Sequence, residues 1–453
     1  MPIPPAHSGR FIYHFTHLDN LQNILRDGLL SHKLLGQQGK THKSIASSEI
    51  QERRAKMQVT CGPGGVVHDY VPFYFCARSS MLLSVVNAKN VDQLFLIYLA
   101  IPISILQQED VVFTNASANT AIPPTFFSDP TQLDSLNWGA ICSKKWSMPD
   151  EAQKQARMAE ALIYQKVDIT QVAHLIVWND PIKKKVEKIF ASEEKSPPKI
   201  EFDGHNSQYH YFTNFLSGER TSIVTGPYCT KLAFEESVEY IKTKGQSASA
   251  SHKNIAALLT ALRADFNCLP ETAGLDGLKS DNFIHKEDAG THTRSVIREL
   301  KALPQFASLS PNDQMLTEVA AYLHDIGKGP KERWKDNGGI QKADPDHPIG
   351  SVKMLRRILT EEITTIKSRS IQVLAKLVCY HDLIGDIIAK GRDLEQLEAI
   401  AGSEQELDML IALNLADAKA VVQGWYVQLA REVPALRTSV LAKLNATSAP
   451  EAE

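Results

Sequence analysis

The 453-residue sequence lacks the features that mark a secreted, membrane-spanning or nucleic-acid-coating protein. Its six cysteines show no C-x-x-C spacing, which argues against a disulfide framework and is typical of free thiols in a reducing cytoplasm. Lys and Arg number 49 against 52 Asp and Glu, a net charge of −3, so a polybasic coat is excluded. No apolar run reaches the roughly 18 residues of a membrane span, and the N-terminal residues form no apolar signal segment. We therefore expect a cytoplasmic protein with no membrane partner.

Length and composition predict two folded domains joined by a connector. The chain is 43% hydrophobic and 22% charged, as ordinary globular proteins are, and it exceeds the usual domain size of about 100–200 residues. Between residues 214 and 253 small and polar residues accumulate, notably GQSASAS at 245–251, which is typical of a flexible linker. We predict a first domain over residues 1–213, a connector over 214–253 and a second domain over 254–445.

The two domains differ in hydrophobic periodicity. In the first, short apolar or alternating runs predict strands that begin near residues 11, 71, 95, 111, 174 and 199, with a short helix ended by Gly28 after the first strand. In the second, Leu316, Val319 and Leu323 follow the i, i+3, i+7 spacing of a helix with one buried face. The sequence therefore predicts a mixed α/β domain followed by an all-α domain.

Histidines and aspartates of the second domain predict a metal site. His324 and Asp325 end a helical apolar stripe and are followed by glycines, which let the helix fray so that both side chains can face one centre. His292 lies on an earlier predicted helix and Asp417 on a later one. A mixed set of nitrogen and oxygen ligands suits Mn, Fe, Co, Ni or Mg better than structural zinc.

Further candidate ligands follow in the same domain. His347 begins a predicted helix and His381 precedes Asp382, so these residues can supply ligands to a second ion. Any one of these histidines, taken alone, is equally well explained as a hydrogen-bonded core residue. The ordered set resembles the HD-domain phosphohydrolase superfamily over roughly residues 255–440. That superfamily includes nucleotidases, cyclic-nucleotide phosphodiesterases and catalytically silent regulators, so the resemblance leaves the reaction open.

The HD resemblance implies a role for each residue that matches the superfamily's motif. One divalent ion would be held by His292, His324, Asp325 and Asp417. His347 and His381 would complete a second site or contact phosphate. Lys328, three residues after Asp325, matches the superfamily's phosphate-facing lysine. The metal would lower the pKa of a bound water and stabilise charge on a phosphoryl oxygen.

Three polar features of the first domain stand where a cleft can form. His14 and Thr16 share one face of the first predicted strand, and Arg53 and Arg54 lie side by side on a short amphipathic segment. Glu160 begins a strand after a long polar loop. A carboxylate in that position can face a cleft, although its spacing alone leaves a solvated surface glutamate open.

Four motifs of the first domain occur in a fixed order. They are YHFTHLDNL at 13–21, IQERR at 50–54, GGVVHDYVPFYFCARSSML at 64–82 and AEALIY at 159–164. Together they resemble DarT, the DNA ADP-ribosyltransferase toxins of bacterial toxin–antitoxin systems, over roughly residues 10–212. The resemblance implies an α+β ADP-ribosyltransferase fold, two packed β-sheets with helices and an NAD cleft between the sheets. It also implies transfer of ADP-ribose from NAD to a thymine ring nitrogen in single-stranded DNA, with release of nicotinamide.

The DarT resemblance implies which residues bind NAD and which act on DNA. NAD would be bound by His14, Phe15, Thr16, Asn23, Leu30 and Arg54, with residues 33–53 covering it. Glu160 would stabilise the oxocarbenium-like transition state. Arg54 would stabilise the thymine anion rather than abstract a proton, because the pKa of a guanidinium exceeds about 12. DNA would be contacted by Arg78, Lys144, Lys145 and Trp146.

The whole sequence thus predicts an NAD-dependent DNA ADP-ribosyltransferase, with Arg54 and Glu160 as catalytic residues, fused to an HD unit that binds a divalent metal. The predicted partners are single-stranded DNA, NAD and an antitoxin of the macrodomain ADP-ribosylglycohydrolase type. The alternative is an HD nucleotide or cyclic-nucleotide phosphohydrolase whose N-terminal unit is an NAD or nucleic-acid sensor. The sequence leaves open the DNA preference, the identity and number of metal ions, the oligomeric state, and whether the HD unit inhibits, activates or reverses the transferase.

Overall fold

A computed structural model describes residues 1–45, 48–120, 123–143, 148, 150–202, 210–212, 223–282, 284 and 286–448. The chain folds into two compact units, one formed by Met1–Asn87 and Val91–Thr213 and the other by Ala88–Asn90 and Asn214–Glu453. Each unit has a hydrophobic core of its own. Throughout the described part of the chain, no helix combines the length and the apolar composition that crossing a membrane requires.

The first unit contains strands and short helices. Its strands are β1 (Phe11–His17), β2 (Leu29–Leu30), β3 (Tyr70–Tyr74), β4 (Leu96–Pro102), β5 (Val111–Thr114), β6 (Phe126–Phe127), β7 (Glu160–Tyr164), β8 (Lys166–Val167), β9 (His174–Val177) and β10 (Lys199–Phe202). Its helices are α1 (Leu21–Asp27), α2 (His32–Gln37), α3 (Ser48–Lys56), α4 (Ser80–Ala88), α5 (Trp138–Ile141), α6 (Glu151–Ala156) and α7 (Asp180–Ser192). All six predicted strands are confirmed, as β1, β3, β4, β5, β9 and β10.

The strands form a sheet that divides in the middle. Eight strands lie in the order β10-β9-β4-β1-β3-β7-β5-β6, and β2 pairs separately with β8. β1 pairs with β4 along its whole length and β3 pairs with β7 along its whole length. β1 and β3, by contrast, share a single register pair, Tyr13 with Tyr74. Two four-stranded halves, joined at this pair, therefore take the place of the two expected sheets, and the expected α+β class is confirmed.

Apolar runs and one glycine explain how the first half of the sheet is built. β4 is buried along all but its last residue, as a strand covered on both faces must be. α1 buries Leu21, Ile24 and Leu25 and ends at Gly28, where φ is +82°, a conformation that side chains other than glycine rarely adopt. Gly28 also lies close to β8, because a Cβ there would be 2.8 Å from the Val167 carbonyl oxygen. The predicted end of this helix is confirmed.

Among its described residues, the second unit has helices and no strand longer than an isolated β-bridge, so the predicted all-α class is confirmed. Its helices are α8 (Pro227–Lys244), α9 (Ile255–Ala264), α10 (Pro270–Ala273), α11 (Ala289–Ala302), α12 (Pro304–Ala307), α13 (Pro311–Leu323), α14 (His347–Glu361), α15 (Ser368–Cys379), α16 (Leu383–Lys390), α17 (Glu395–Ile400), α18 (Glu404–Val421) and α19 (Gln423–Ser448). Their apolar faces meet in one continuous core.

The segment predicted as a flexible connector, 214–253, contains a folded helix. α8 belongs to the second unit, where it packs against α14 and α15 and buries Val238 and Ile241. Gly226 caps its beginning and Gly245 its end, so glycines that resemble linker residues in the sequence are helix boundaries. Residues 213–222 lie outside the described residues.

α13 ends where the predicted His-Asp pair begins. The helix ends at Leu323, and a turn of 3-10 helix at Ile326–Lys328 follows His324 and Asp325. Gly327 in this turn packs against the start of α14, since a Cβ on it would lie 2.2 Å from the carbonyl oxygen of His347. The absence of a side chain at Gly327 thus lets His324, Asp325 and His347 approach one another.

Candidate active site and metal centre

The first unit contains a buried ion pair between Arg54 on α3 and Glu160 at the start of β7. Arg54 Nη1 donates to both carboxylate oxygens of Glu160, at 3.0 and 2.9 Å. Arg54 is 7% exposed and Glu160 is completely buried, which rules out the solvated surface glutamate. Burial lowers the pKa of Arg54, but the Glu160 charge, the nearby Tyr74 and the hydrogen bond to Glu160 together outweigh burial and raise the pKa, so the guanidinium stays charged.

The backbone around Glu160 holds the carboxylate in one orientation. The Ala118 amide donates to Glu160 Oε1 at 3.0 Å. The Glu160 amide donates to Thr114 Oγ1 at 3.1 Å, and that hydroxyl donates to the Ala116 carbonyl oxygen at 2.7 Å. Hydrogen bonds between charged groups, such as the one from Arg54, are stronger than bonds between neutral groups.

A cavity of about 530 Å³ lies beside this pair and is lined by Arg54. All the predicted NAD-binding residues line it: His14, Phe15, Thr16, Asn23, Leu30 and Arg54. The cavity also takes in residues 39–45, Ile50 and Gln51, within the segment 33–53 that was predicted to cover NAD. Its size falls in the range of small-molecule and cofactor sites.

His14 faces this cavity as a neutral imidazole. Its Nδ1 lies 2.8 Å from the Pro72 carbonyl oxygen, which can only accept, so Nδ1 carries the proton. Burial lowers the pKa of His14 to about 4, more than the bond to Pro72 raises it. His14 Nε2 is therefore an acceptor at neutral pH.

Of the predicted DNA contacts, Lys144, Lys145 and Trp146 lie outside the described residues. Arg78 is only 5% exposed, and its guanidinium carbon lies 5.4 Å from the centre of the Phe212 ring. The predicted phosphate contact disagrees with this position, because a side chain stacked inside the protein does not reach a DNA backbone at the surface. Arg78 is instead part of the packing of the first unit.

Tyr74 and Asn20 also line the cavity, although neither is among the residues predicted from the sequence. Tyr74 lies opposite Glu160 in the β3–β7 register, and burial followed by the nearby Glu160 charge raises the pKa of its hydroxyl. Tyr74 lies within the motif at 64–82, which was the available signal. Asn20 likewise lies within the motif at 13–21. For the Ala118 amide beside Glu160, no pattern in the sequence distinguishes it from the amide of an ordinary loop residue.

In the second unit, the predicted metal ligands converge on Asp325. Asp325 Oδ2 lies 3.4 Å from His324 Nε2 and 3.7 Å from His292 Nε2. Asp417 Oδ1 lies 2.9 Å from His292 Nε2. His292 on α11, His324 and Asp325 at the end of α13 and Asp417 on α18 are therefore close together.

A second group of ligands meets the other oxygen of the same carboxylate. Asp325 Oδ1 lies 3.2 Å from His347 Nε2 and 3.7 Å from His381 Nε2. Asp382 completes this side, at 3.5 Å from His347 Nε2 and 3.4 Å from His381 Nε2. Asp325 therefore lies between two groups of histidines, with one oxygen facing each group.

Backbone carbonyls fix the orientation of these imidazoles. The Nδ1 atoms of His324, His347 and His381 lie 2.8, 2.8 and 2.9 Å from the carbonyl oxygens of residues 321, 344 and 378. These contacts of Nδ1 turn each Nε2 towards the centre, as metal-binding histidines require.

The charges and unsatisfied atoms of this centre fit a cation. Among the described residues, His324 Nε2 and Asp325 Oδ1 are buried without a hydrogen bond, although buried polar atoms are almost always paired. Burial lowers the pKa of His324, but the Asp325 and Asp417 carboxylates raise it to about 9. Lys328 Nζ lies 2.6 Å from Asp325 Oδ2, so the predicted phosphate-facing lysine is at the centre.

The first unit has a divided sheet with a buried Arg–Glu pair beside its cavity, which defines an ADP-ribosyltransferase unit. The second unit has helices that bring a His-Asp pair to other histidines, which defines an HD unit. Residues 13–211 match the family model for ssDNA thymidine ADP-ribosyltransferase, DarT, and residues 288–418 match the HD domain model. The chain belongs to the DarT family and carries an HD domain.

Relatives of known activity match the first unit. A DNA ADP-ribosyl transferase of Thermus sp. (strain 2.9) is 34% identical over 183 residues, 39% of this chain and 86% of that protein. The Escherichia coli O127:H6 enzyme of the same name is 28% identical over 184 residues, 39% of this chain and 84% of the other. The solved structure of Thermus sp. 2.9 DarT in complex with ADP-ribosylated ssDNA has 30% identity and a TM-score of 0.41, covering 46% of this chain and 99% of that one.

Proposed function

We propose that the protein is an NAD-dependent mono-ADP-ribosyltransferase that modifies thymine bases in single-stranded DNA. The observation that carries the proposal is the buried Arg54–Glu160 pair, held by the Ala118 amide beside a cavity of about 530 Å³. Membership of the DarT family supports NAD as co-substrate and DNA as acceptor. The Thermus sp. 2.9 relative has been solved in complex with NAD+ and with ADP-ribosylated ssDNA.

The first-unit residues divide into those that hold NAD and those that act on the bond being broken. His14, Phe15 and Thr16 on β1 form the floor on which NAD lies, with the His14 Nε2 acceptor available to an N–H or O–H group of the ligand. Asn23 and Leu30 bound the cavity beside α1 and β2.

Glu160 and Arg54 carry the chemistry. The bond from ribose to the nicotinamide nitrogen breaks, a bond from the same carbon to a thymine ring nitrogen forms, and the thymine N–H proton leaves to solvent. Positive charge develops on the ribose, and the anionic Glu160 stabilises it through a medium from which water is excluded. Arg54 stabilises the negative charge that develops on thymine as its proton leaves. The ion pair therefore links Glu160, which stabilises the positive charge on the ribose, to Arg54, which stabilises the negative charge on thymine.

The activity is tested with full-length protein, NAD and a pair of oligonucleotides that differ only in whether they contain thymine. We expect a mass increase of one ADP-ribosyl group on the thymine-containing strand alone, with equimolar release of nicotinamide. Arg54→Ala and Glu160→Ala should each lower the rate by about 100-fold or more, whereas Lys56→Ala on the same helix serves as control. Modification that persists in Glu160→Ala would contradict the assigned role.

We also propose that the second unit binds divalent metal and acts as a phosphohydrolase. His292, His324, Asp325 and Asp417 would hold one ion, and His347 and His381, with Asp382, a second; Mn, Fe, Co, Ni or Mg suits these ligands. Metal bound there would supply an activated water and neutralise phosphoryl charge. Lys328 would contact the substrate phosphate. The buried His324 Nε2 and Asp325 Oδ1 without hydrogen bonds support the proposal.

Metal content and phosphatase activity test this second proposal separately. We expect purified wild-type protein to contain divalent metal by elemental analysis and to hydrolyse a phosphate ester or nucleotide. Asp325→Ala should lose most of the metal, since its two oxygens face both groups of histidines, while His252→Ala should keep it. Equal metal content in wild type and Asp325→Ala would contradict the assignment.

Cellular context follows from the proposed activity. A DNA-modifying enzyme of this kind acts as a toxin in the cytoplasm and needs a neutralising partner, which we propose is a macrodomain-type ADP-ribosylglycohydrolase. A Thermosipho africanus relative, 24% identical over 182 residues, is named as a fusion of DNA ADP-ribosyl transferase and DNA ADP-ribosyl glycohydrolase.

We propose that the domain boundary lies at residue 213, with the remainder of the chain forming the HD unit. We also propose that Lys144, Lys145 and Trp146 contact DNA.

A further inference from the structure

A loop forms one wall of the cavity assigned to NAD. Residues 39–45 adopt neither helix nor strand, and every one of them lines the cavity. The backbone groups of such a segment need partners from elsewhere if the segment is to keep one position. We call residues 39–45 the wall. The shape of the cavity therefore depends on the residues that hydrogen-bond to the wall.

The Asn20 side chain hydrogen-bonds to both the N–H and the C=O group of one residue of this wall. Its Nδ2 donates to the Lys43 carbonyl oxygen at 3.0 Å, and its Oδ1 accepts from the Lys43 amide at 2.8 Å. The side-chain amide thus pairs with Lys43 as a residue of a neighbouring strand would. Asn20 is 7% exposed, so water does not compete freely for these bonds.

The same side chain reaches the floor of the cavity. Asn20 Nδ2 also donates to Thr16 Oγ1 at 3.0 Å, which uses its second N–H. Thr16 lies on β1 and lines the cavity beside His14. A second attachment lies close by, since Lys43 Nζ is 3.1 Å from both Asp19 Oδ2 and His17 Nε2. Wall and floor are therefore connected through one buried amide.

We propose that Asn20 is a positioning residue that sets the affinity for NAD by holding residues 39–45 against β1. This inference rests on the proposed function, because it takes NAD as the ligand of the cavity. Glu160 is held by Arg54 and the Ala118 amide, and Asn20 hydrogen-bonds to the wall and the floor instead. Its loss consequently weakens binding of NAD and leaves the chemical step nearly unchanged.

Two variants separate the bonds that Asn20 makes. Asn20→Leu removes all three hydrogen bonds at similar volume, and Asn20→Asp keeps only the acceptor for the Lys43 amide. We expect the KM for NAD to rise about tenfold or more in Asn20→Leu and by less in Asn20→Asp, while kcat changes by no more than about threefold. Asn179→Leu is the matched control, because Asn179 also accepts a backbone N–H, at the start of α7.

Trypsin cleavage supplies a readout that a general loss of stability would not reproduce. Without NAD, cleavage after Lys40 and Lys43 should be faster in both Asn20 variants than in wild type, and cleavage after Lys188 in α7 should be unchanged. NAD should slow cleavage after Lys40 and Lys43 in wild type. Asn20→Asp, which preserves size and polarity, provides the comparison if Asn20→Leu does not fold.

The outcomes distinguish this inference from the function on which it rests. Wild-type protein that binds no NAD and modifies no DNA would overturn the proposed function. If wild type is active and the Asn20 variants show an unchanged KM for NAD and unchanged cleavage, only the role of Asn20 is overturned. A fall in kcat at unchanged KM would also overturn it, because Asn20 would then act on the chemical step.

Discussion

Two neighbouring residues bond the Glu160 carboxylate, and a third bonds the Glu160 backbone. Arg54 pairs with the carboxylate through a charged side chain, the Ala118 amide through the main chain, and Thr114 accepts the Glu160 N–H. A carboxylate bound in this way needs no rearrangement when charge develops on the substrate. Preorganised groups of this kind account for a large share of enzymatic rate enhancement.

His14 gives a prediction for pH dependence at the residue scale. Its pKa falls from the ordinary 6.5 to about 4 because it is buried, so the unfolded chain binds the proton more tightly than the folded one. Titration of His14 should therefore leave the free energy of unfolding of the first unit independent of pH above 6.5, and should lower that free energy as the pH falls from 6.5 towards 4. Urea unfolding at several pH values, compared with His14→Gln, measures this difference.

The wild-type curve should decline more steeply with acid than that of His14→Gln, whose side chain does not titrate. Parallel curves over pH 4–7 would show that His14 takes up its proton as readily in the folded state as in the unfolded chain. His174→Gln on β9 is a second test of the same argument, because burial also lowers the pKa of His174 and its removal should flatten the curve in the same direction.

Side-chain chemistry decided which site residues the sequence could reveal. Glu160 and Arg54 lie in motifs, and the six histidines and aspartates of the HD unit occur in a set order, so both groups were selected. The Ala118 amide was invisible because every residue but proline has one. Arg78 was placed on DNA because it is basic, yet it is buried in the packing of the first unit.

At the scale of elements, the metal centre depends on the close contact between the turn at Ile326–Lys328 and α14. Gly327 has no room for a Cβ, which would lie 2.2 Å from the carbonyl oxygen of His347 and 2.4 Å from the amide of Ser351. Because both contacts are to backbone atoms, a larger residue must displace the whole helix start. His324 and Asp325 would then move away from His347.

Gly327→Ala should therefore lower the metal content of the second unit without removing any ligand. We expect a loss of about tenfold or more in metal affinity, comparable to loss of a supporting group around a metal site. Gly424→Ala on α19 is the control, since its Cβ would only make an ordinary contact at 3.9 Å. Elemental analysis after dialysis against graded chelator checks the result, and equal retention in both variants would contradict it.

Strands and helices could be predicted where apolar residues recur with the spacing of a strand or a helix. The strands that begin at residues 11, 111, 174 and 199 were located at their first residue, because their alternating or continuous apolar runs are strong signals. α8 was missed because small and polar residues such as Thr230, Ala233 and Ser237 form much of its buried face, which weakens the helical pattern. Its flanking glycines then resembled a linker.

The whole molecule combines two units, and each of them has its own candidate site residues and its own core. Two groups of histidine and aspartate in the described chain can hold an ion, and both belong to the second unit. They are His292 with His324 and Asp325, and Asp325 with His347 and His381. We therefore expect removal of metal to affect the two activities unequally.

Chelation of the full-length protein should abolish the phosphohydrolase activity and lower the melting temperature of the second unit, because bound ligand stabilises the folded state. DNA ADP-ribosylation should change by less than about twofold, since no metal takes part in the roles of Arg54 and Glu160. The measurement is the rate of both reactions before and after chelator, with Mn²⁺ restored as control. Loss of ADP-ribosylation that Mn²⁺ reverses would show that the units are coupled through the metal.

The single register pair between β1 and β3 has a consequence for ligand recognition. Beyond Tyr13 and Tyr74, each strand presents an edge inside the first unit, and a strand edge offers peptide N–H and C=O groups to any partner of matching geometry. The carboxamide of nicotinamide carries the same donor and acceptor as a peptide group. Phe15 and Thr16 on β1 and Pro72 and Tyr74 on β3 line the cavity, so under the proposed function we expect the co-substrate to lie along these unpaired strand edges.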